Sequence, residues 1–141
     1  MIDCSKAYRT ALYSVLNGKV KINNVAIPVY NYVPETVSYP YIHIHSQTTD
    51  ENGCKDKYGY VHMCNIDIVT GSVGDYGEDE PAENICNEIL RLIMVKKHPF
   101  ILSGFNHVGI DIDTIGNFEE QREFGFINYK VLRLKSIIFE M

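Results

Sequence analysis

His43 and His45, two residues apart, are the side chains of this chain best placed to do chemistry. They lie in VPETVSYPYIHIHS, Val33 to Ser46. There Tyr39-Pro40-Tyr41 launches an extended segment, because proline disfavours the helical region for the residue before it. On a strand, Tyr41, His43 and His45 point one way and Ile42 and Ile44 the other. His62 or Cys64 on a neighbouring strand would complete a zinc-like donor set. The short, repeated ligand intervals by which zinc sites usually declare themselves are missing. The competing reading is a half-exposed sheet face whose histidines hydrogen-bond locally. His43, His45 and His62 are therefore candidates, and no metal site is assigned. Asp111 and Asp113 also share a strand face, as do Asn65 and Asp67. A carboxylate pair could do acid–base work or hold Mg²⁺, but no partner base or phosphate-binding loop accompanies it, which favours a solvated strand face. Gly71, Gly74 and Gly77 lack the following lysine and Ser/Thr of a P-loop. No GxSxG, HExxH or nucleophile–base grouping occurs. The sequence thus predicts neither catalytic residues nor a cofactor.

Several elements must position these residues. A first helix over about Asp3 to Leu16 carries Tyr8, Ala11, Leu12 and Val15 as an apolar stripe. Asp3 or Ser5 can cap it, and Asn17-Gly18 ends it. Lys19 to Ile27 reads as a hairpin turning at Asn23-Asn24. Val29 to Val33 continues extended. Tyr41 to Ser46 and Tyr58 to Thr70 read as antiparallel strands joined by a polar loop, Gln47 to Lys57. In the second, Tyr60, His62, Cys64, Ile66 and Ile68 share one face, while Val61, Met63, Asn65, Asp67 and Val69 share the other. Both faces are partly apolar, which suits helices on one side and another subunit on the other. The acidic stretch Gly71 to Glu83 reads as a connector into a second helix. Pro81 stands in that helix's first turn; Ala82, Ile85, Cys86, Ile89, Leu90 and Ile93 are its buried face, and Lys96-Lys97 its end. Val108 to Ile115 and Phe126 to Phe139 read as strands separated by a turn over Gly116 to Gly125. The expected fold is α+β: a single domain, residues 1–141, with a mostly antiparallel sheet and two amphipathic helices packed on one face.

Bulk properties narrow the function. At 141 residues and 45% hydrophobic, the chain can bury a sizeable core. With 13 basic against 18 acidic residues, net −5, it lacks the cationic surface that grips nucleic acid through phosphates. Cys4, Cys54, Cys64 and Cys86 form no CxxC pair, Met1 to Cys4 has no basic start or apolar run, and no segment approaches the roughly 20 apolar residues that cross a bilayer. An intracellularly made, reduced protein is expected. Ten tyrosines, among them Tyr30, Tyr32, Tyr39, Tyr41, Tyr58, Tyr60 and Tyr76, flank loops and strand ends. Tyrosine is enriched at protein interfaces and is also simply a good strand residue.

The order of these elements (leading amphipathic helix, small hairpin, SYPYIHI strand entry, polar loop, long strand, acidic-started helix) resembles the tail-terminator, or tail-completion, proteins of long-tailed bacteriophages over most of the chain. The resemblance implies a hexameric ring that caps the tail tube, joins it to the head–tail connector or neck protein, and lets DNA pass through an acidic lumen. Its partners would be copies of itself, the tail tube protein and the connector, with no membrane. It would be made in the bacterial host cytoplasm and reside in the virion tail or neck. Ring or partner contacts would fall on Tyr39, Tyr41, Asp50, Glu51, Asn52 and Lys55 around the polar loop, and on Asp75, Tyr76 and Glu78 in the connector. Another neck or minor tail component, or a small metal- or ligand-binding domain built on the His43/His45/His62 face, are the alternatives.

Overall fold

The structure is a computed structural model of the chain and describes residues 2–53, 58–72, 80–94, 100–122 and 125–141. The first helix, α1, spans Ser5–Leu16. Asp3 Oδ1 accepts the Ser5 N–H at 2.9 Å, which serves one of the free amides at the helix start and holds the Asp3 carboxyl below its usual pKa. Tyr8, Leu12 and Leu16 are buried. Gly18 ends the helix at φ +74°, a backbone region open to glycine, while Asn17 is extended. Strands β1 (Lys21–Ile22) and β2 (Val25–Ala26) form the small hairpin. Asn23 and Asn24 sit at φ 52° and 67°, the paired left-handed conformation of the tight turn that suits strand twist.

The main sheet has five strands in the order β3-β4-β5-β7-β6. They are β3 (Val29–Tyr30), β4 (Tyr41–Glu51), β5 (Gly59–Ser72), β6 (Phe105–Arg122) and β7 (Gly125–Glu140), and helix α2 (Glu80–Ile93) lies between β5 and β6 in sequence. All neighbours are antiparallel except β3 and β4. The Tyr39–Pro40 peptide leading into β4 is cis.

Both helices pack on one face of this sheet. Tyr8, Leu12 and Leu16 of α1 and Ala82, Ile85, Cys86, Ile89 and Ile93 of α2 join Ile42, Ile44, Cys64, Ile66, Ile68, Leu132, Leu134 and Ile138 in one buried cluster. The fold is therefore α+β with a mostly antiparallel sheet, as the sequence predicts.

Two segments expected to be irregular are strand. Gln47 to Glu51, read as the start of a polar loop, continues β4 and pairs with Cys64 back to Tyr60. Gly116 to Arg122, read as a turn, continues β6 opposite Val131 to Gly125. In β6 the residues from Gly116 to Glu119 are exposed on both faces, and in β4 the irregular residue Ser46 reverses which side chains face the helices, so the apolar alternation that marks a strand is lost in both places. The pairing survives because backbone groups satisfy one another across the ladder.

Candidate functional site

The β4–β5 register decides which polar side chains meet. His43 lies opposite Asp67 and His45 opposite Asn65. Directly opposed residues of an antiparallel pair share a face, so both histidines project with Asn65 and Asp67 from the face that carries no helix. His62 is an odd number of residues from Asp67 and points to the other face, where it is fully buried beneath α1. The candidate grouping of His43 and His45 with His62 or Cys64 is thus not formed, and Asp67 is the residue beside the two histidines instead.

On the helix-free face the His43 and His45 rings stack nearly parallel, with centroids 4.7 Å apart and an interplanar angle of 14°. His45 Nε2 lies 2.7 Å from Asp67 Oδ2, yet the contact is not aligned as a ring N–H hydrogen bond. Burial, followed by the neighbouring His45, lowers the His43 pKa. Tyr39 stacks on Tyr41 and covers Gly71, where an added Cβ would come within 2.7 Å of the Tyr39 ring. Further along, Arg133 Nε lies 3.6 Å from Asp113 Oδ2, and Asp111 stands opposite Lys135. The two aspartates therefore face cations across the strand, an arrangement that fits ion pairing better than acid–base work.

A second polar cluster surrounds the buried ring of His62. A bulge at Ser46 (φ 53°) shifts the register between His45 and Gln47 and inverts the alternation of β4. Gln47 and Thr49 consequently turn inward onto His62. Gln47 Oε1 is 2.8 Å from Nε2, and Thr49 Oγ1 is 2.7 Å from Nδ1. A side-chain carbonyl can only accept, so Nε2 carries the proton and Nδ1 receives the Thr49 hydroxyl. Cys4 Sγ lies 3.6 Å from the same Nδ1. This resembles a cysteine–histidine pair, but the electrostatics oppose activation. Burial pushes the Cys4 thiol up and drives His62 down to about 4, so both are neutral at pH 7. Beside them, Ser136 Oγ bridges Tyr8 OH at 2.8 Å and His107 Nε2 at 3.0 Å, again fully buried. These groups tie α1 to the sheet. No sequence signal marks the cluster, because the bulge that assembles it falls on an ordinary serine.

Because the folded state disfavours protonated His62, the unfolded chain binds more protons between the two pKa values. Stability from this site is complete above about pH 6.5 and lost as pH falls toward 4, on the order of 2 kcal/mol by pH 4.5. His43 acts in the same direction. Denaturant melts at pH 7.5 and 5.0 should show the loss, and His62→Gln should reduce the slope; an unchanged slope would assign it to other groups.

Of the residues expected at ring or partner contacts, Tyr39 is exposed and Tyr41 half-buried at the start of β4. Asp50 and Glu51 are exposed at its far end, and exposed Asn52 follows, its N–H donating to the Gly59 carbonyl at 2.7 Å. Lys55, Asp75, Tyr76 and Glu78 lie outside the described residues, as do Lys96 and Lys97. The longest strand, β6, hydrogen-bonds only to β7 among the described residues, so its outer edge is open. It carries three well-exposed apolar side chains, Val108, Ile115 and Phe118.

No protein-family model matches the chain, and no curated protein sequence matches it. A solved structure does. A chain of the virion of a native gene transfer agent particle superimposes with a TM-score of 0.77 over 99% of both chains, at 16% identity. The two share a fold from end to end.

Proposed function

We propose that this chain is a structural virion protein whose 141 residues act as one tail-terminator-like domain, forming a closed ring that caps a phage tail tube and joins it to the head–tail connector. The observation that carries the reading is the end-to-end likeness to a virion chain of a gene transfer agent particle. The element order noted in the sequence agrees with it. So does the open β6 edge with Val108, Ile115 and Phe118, since closing a ring covers such edges, which otherwise invite uncontrolled pairing. A net charge of −5 suits a lumen through which DNA slides without sticking. Copies of the chain, six to a ring, would be the first partners. The tail tube protein and the connector would meet the ring's two ends, using the termini of β4 where Tyr39, Tyr41, Asp50 and Glu51 stand.

Immunogold labelling of particles that carry the chain tests the assignment. Label at the junction of head and tail is expected. Label on the capsid shell or distal tip would contradict it, and label confined to the neck above the tube would favour the neck-protein alternative.

A further inference from the structure

We propose that His43, His45 and Asp67 bind a divalent transition-metal ion of the zinc class on the helix-free face of the sheet. The site is built by backbone geometry. The two-residue spacing puts both imidazoles on one side of β4, and the register sets Asp67 directly opposite His43. One donor atom from each residue lies within 4.8 Å of the other two. Around tetrahedral zinc with bonds of about 2.0–2.1 Å, donors stand roughly 3.4 Å apart. Small side-chain rotations therefore close the site without moving the strands.

Unmet polar groups point to a ligand there. His45 Nε2, Asp67 Oδ1 and Asn65 Oδ1 are all shielded from solvent without a hydrogen-bond partner. Buried polar atoms are nearly always satisfied, so orphans on His45 and on the two residues that His45 and His43 face across the strands need explaining. An aligned His45–Asp67 hydrogen bond would be the simple answer, but the 2.7 Å contact is misaligned for it. A cation between the two residues would satisfy both. Two nitrogens and one carboxylate suit zinc and its neighbours, whereas Mg²⁺ and Ca²⁺ prefer oxygen donors throughout. The fourth position is left to water, because no helix covers this face.

The test uses the full chain, stripped with chelator and titrated with Zn²⁺ by calorimetry and thermal melting. One ion per chain and a melting temperature raised by Zn²⁺ but not by equal Mg²⁺ are expected. His45→Gln and Asp67→Asn should each weaken binding by about tenfold or more, with apo melting temperatures close to the parent's. Absence of saturable binding, or binding unchanged in the His43→Gln/His45→Gln double variant, would overturn the proposal. Should that variant fail to fold, NMR of the unaltered chain decides. Zn²⁺ should shift the ring resonances of His43 and His45 and leave those of buried His62 in place; the reverse pattern would refute the site.

Discussion

Ile66→Ala should lower the unfolding free energy by about 3 kcal/mol, while Val61→Ala on the same strand should cost under about 1 kcal/mol. Ile66 is fully buried at the middle of β5, between Ile44 on β4 and Leu132 on β7, both also buried. Truncation there loses transfer free energy and leaves a cavity that packed helices above and flanking strands cannot collapse into. Val61 lies on the opposite face, half-buried between Asp50 and Ile137, with no helix over it. Equilibrium urea unfolding gives both numbers, with the slope expected to stay constant and the midpoint to move. Equal costs at the two positions would mean that the helix-free face is packed as tightly as the core, contrary to the one-sided architecture described above.

Ile115→Lys combined with Phe118→Lys should abolish ring assembly while leaving the subunit folded. Both positions lie on β6, both are exposed, and Phe118 stacks on Tyr129 with centroids 4.7 Å apart. Losing that stacking costs about 1 kcal/mol, too little to unfold a domain with so continuous a core. Lysines on an edge strand oppose docking because pairing would strip water from their charges. Far-UV circular dichroism should match the parent's, and light scattering should report monomer at concentrations where the parent assembles. Tyr32→Lys, at an 87% exposed residue away from this edge, is the control and should assemble normally. Assembly of the β6 variant would move the interface to another surface.

Much of this architecture is readable from residue pattern, and the failures have physical causes. The α2 face came through clearly because Ala82, Ile85, Cys86, Ile89 and Ile93 follow the helical period against wet Asn84, Asn87 and Arg91. The faces of β5 were legible for the same reason at period two. The relation between neighbouring strands was not. Alternation says that His43 and His45 share a side and that His62 and Cys64 share a side, but only the register says whether those sides coincide. The observed pairing of His43 with Asp67 separates them and supplies a carboxylate instead. The bulge at Ser46 was equally hidden, since a left-handed serine has no strong sequence mark, and its effect is to turn Gln47 and Thr49 inward onto His62. Polar QTTDE reads as loop because its inward-facing members, Gln47 and Thr49, are polar and meet a polar partner, so no apolar alternation marks the strand.

Light scattering on a size-exclusion column, with negative-stain images of any large peak, shows whether the chain forms a ring. A closed ring of about six 16.1 kDa subunits around an open centre is expected, formed by the purified chain or on addition of tail tubes. A chain that stays monomeric at high concentration and also fails to form rings on tube ends would contradict it.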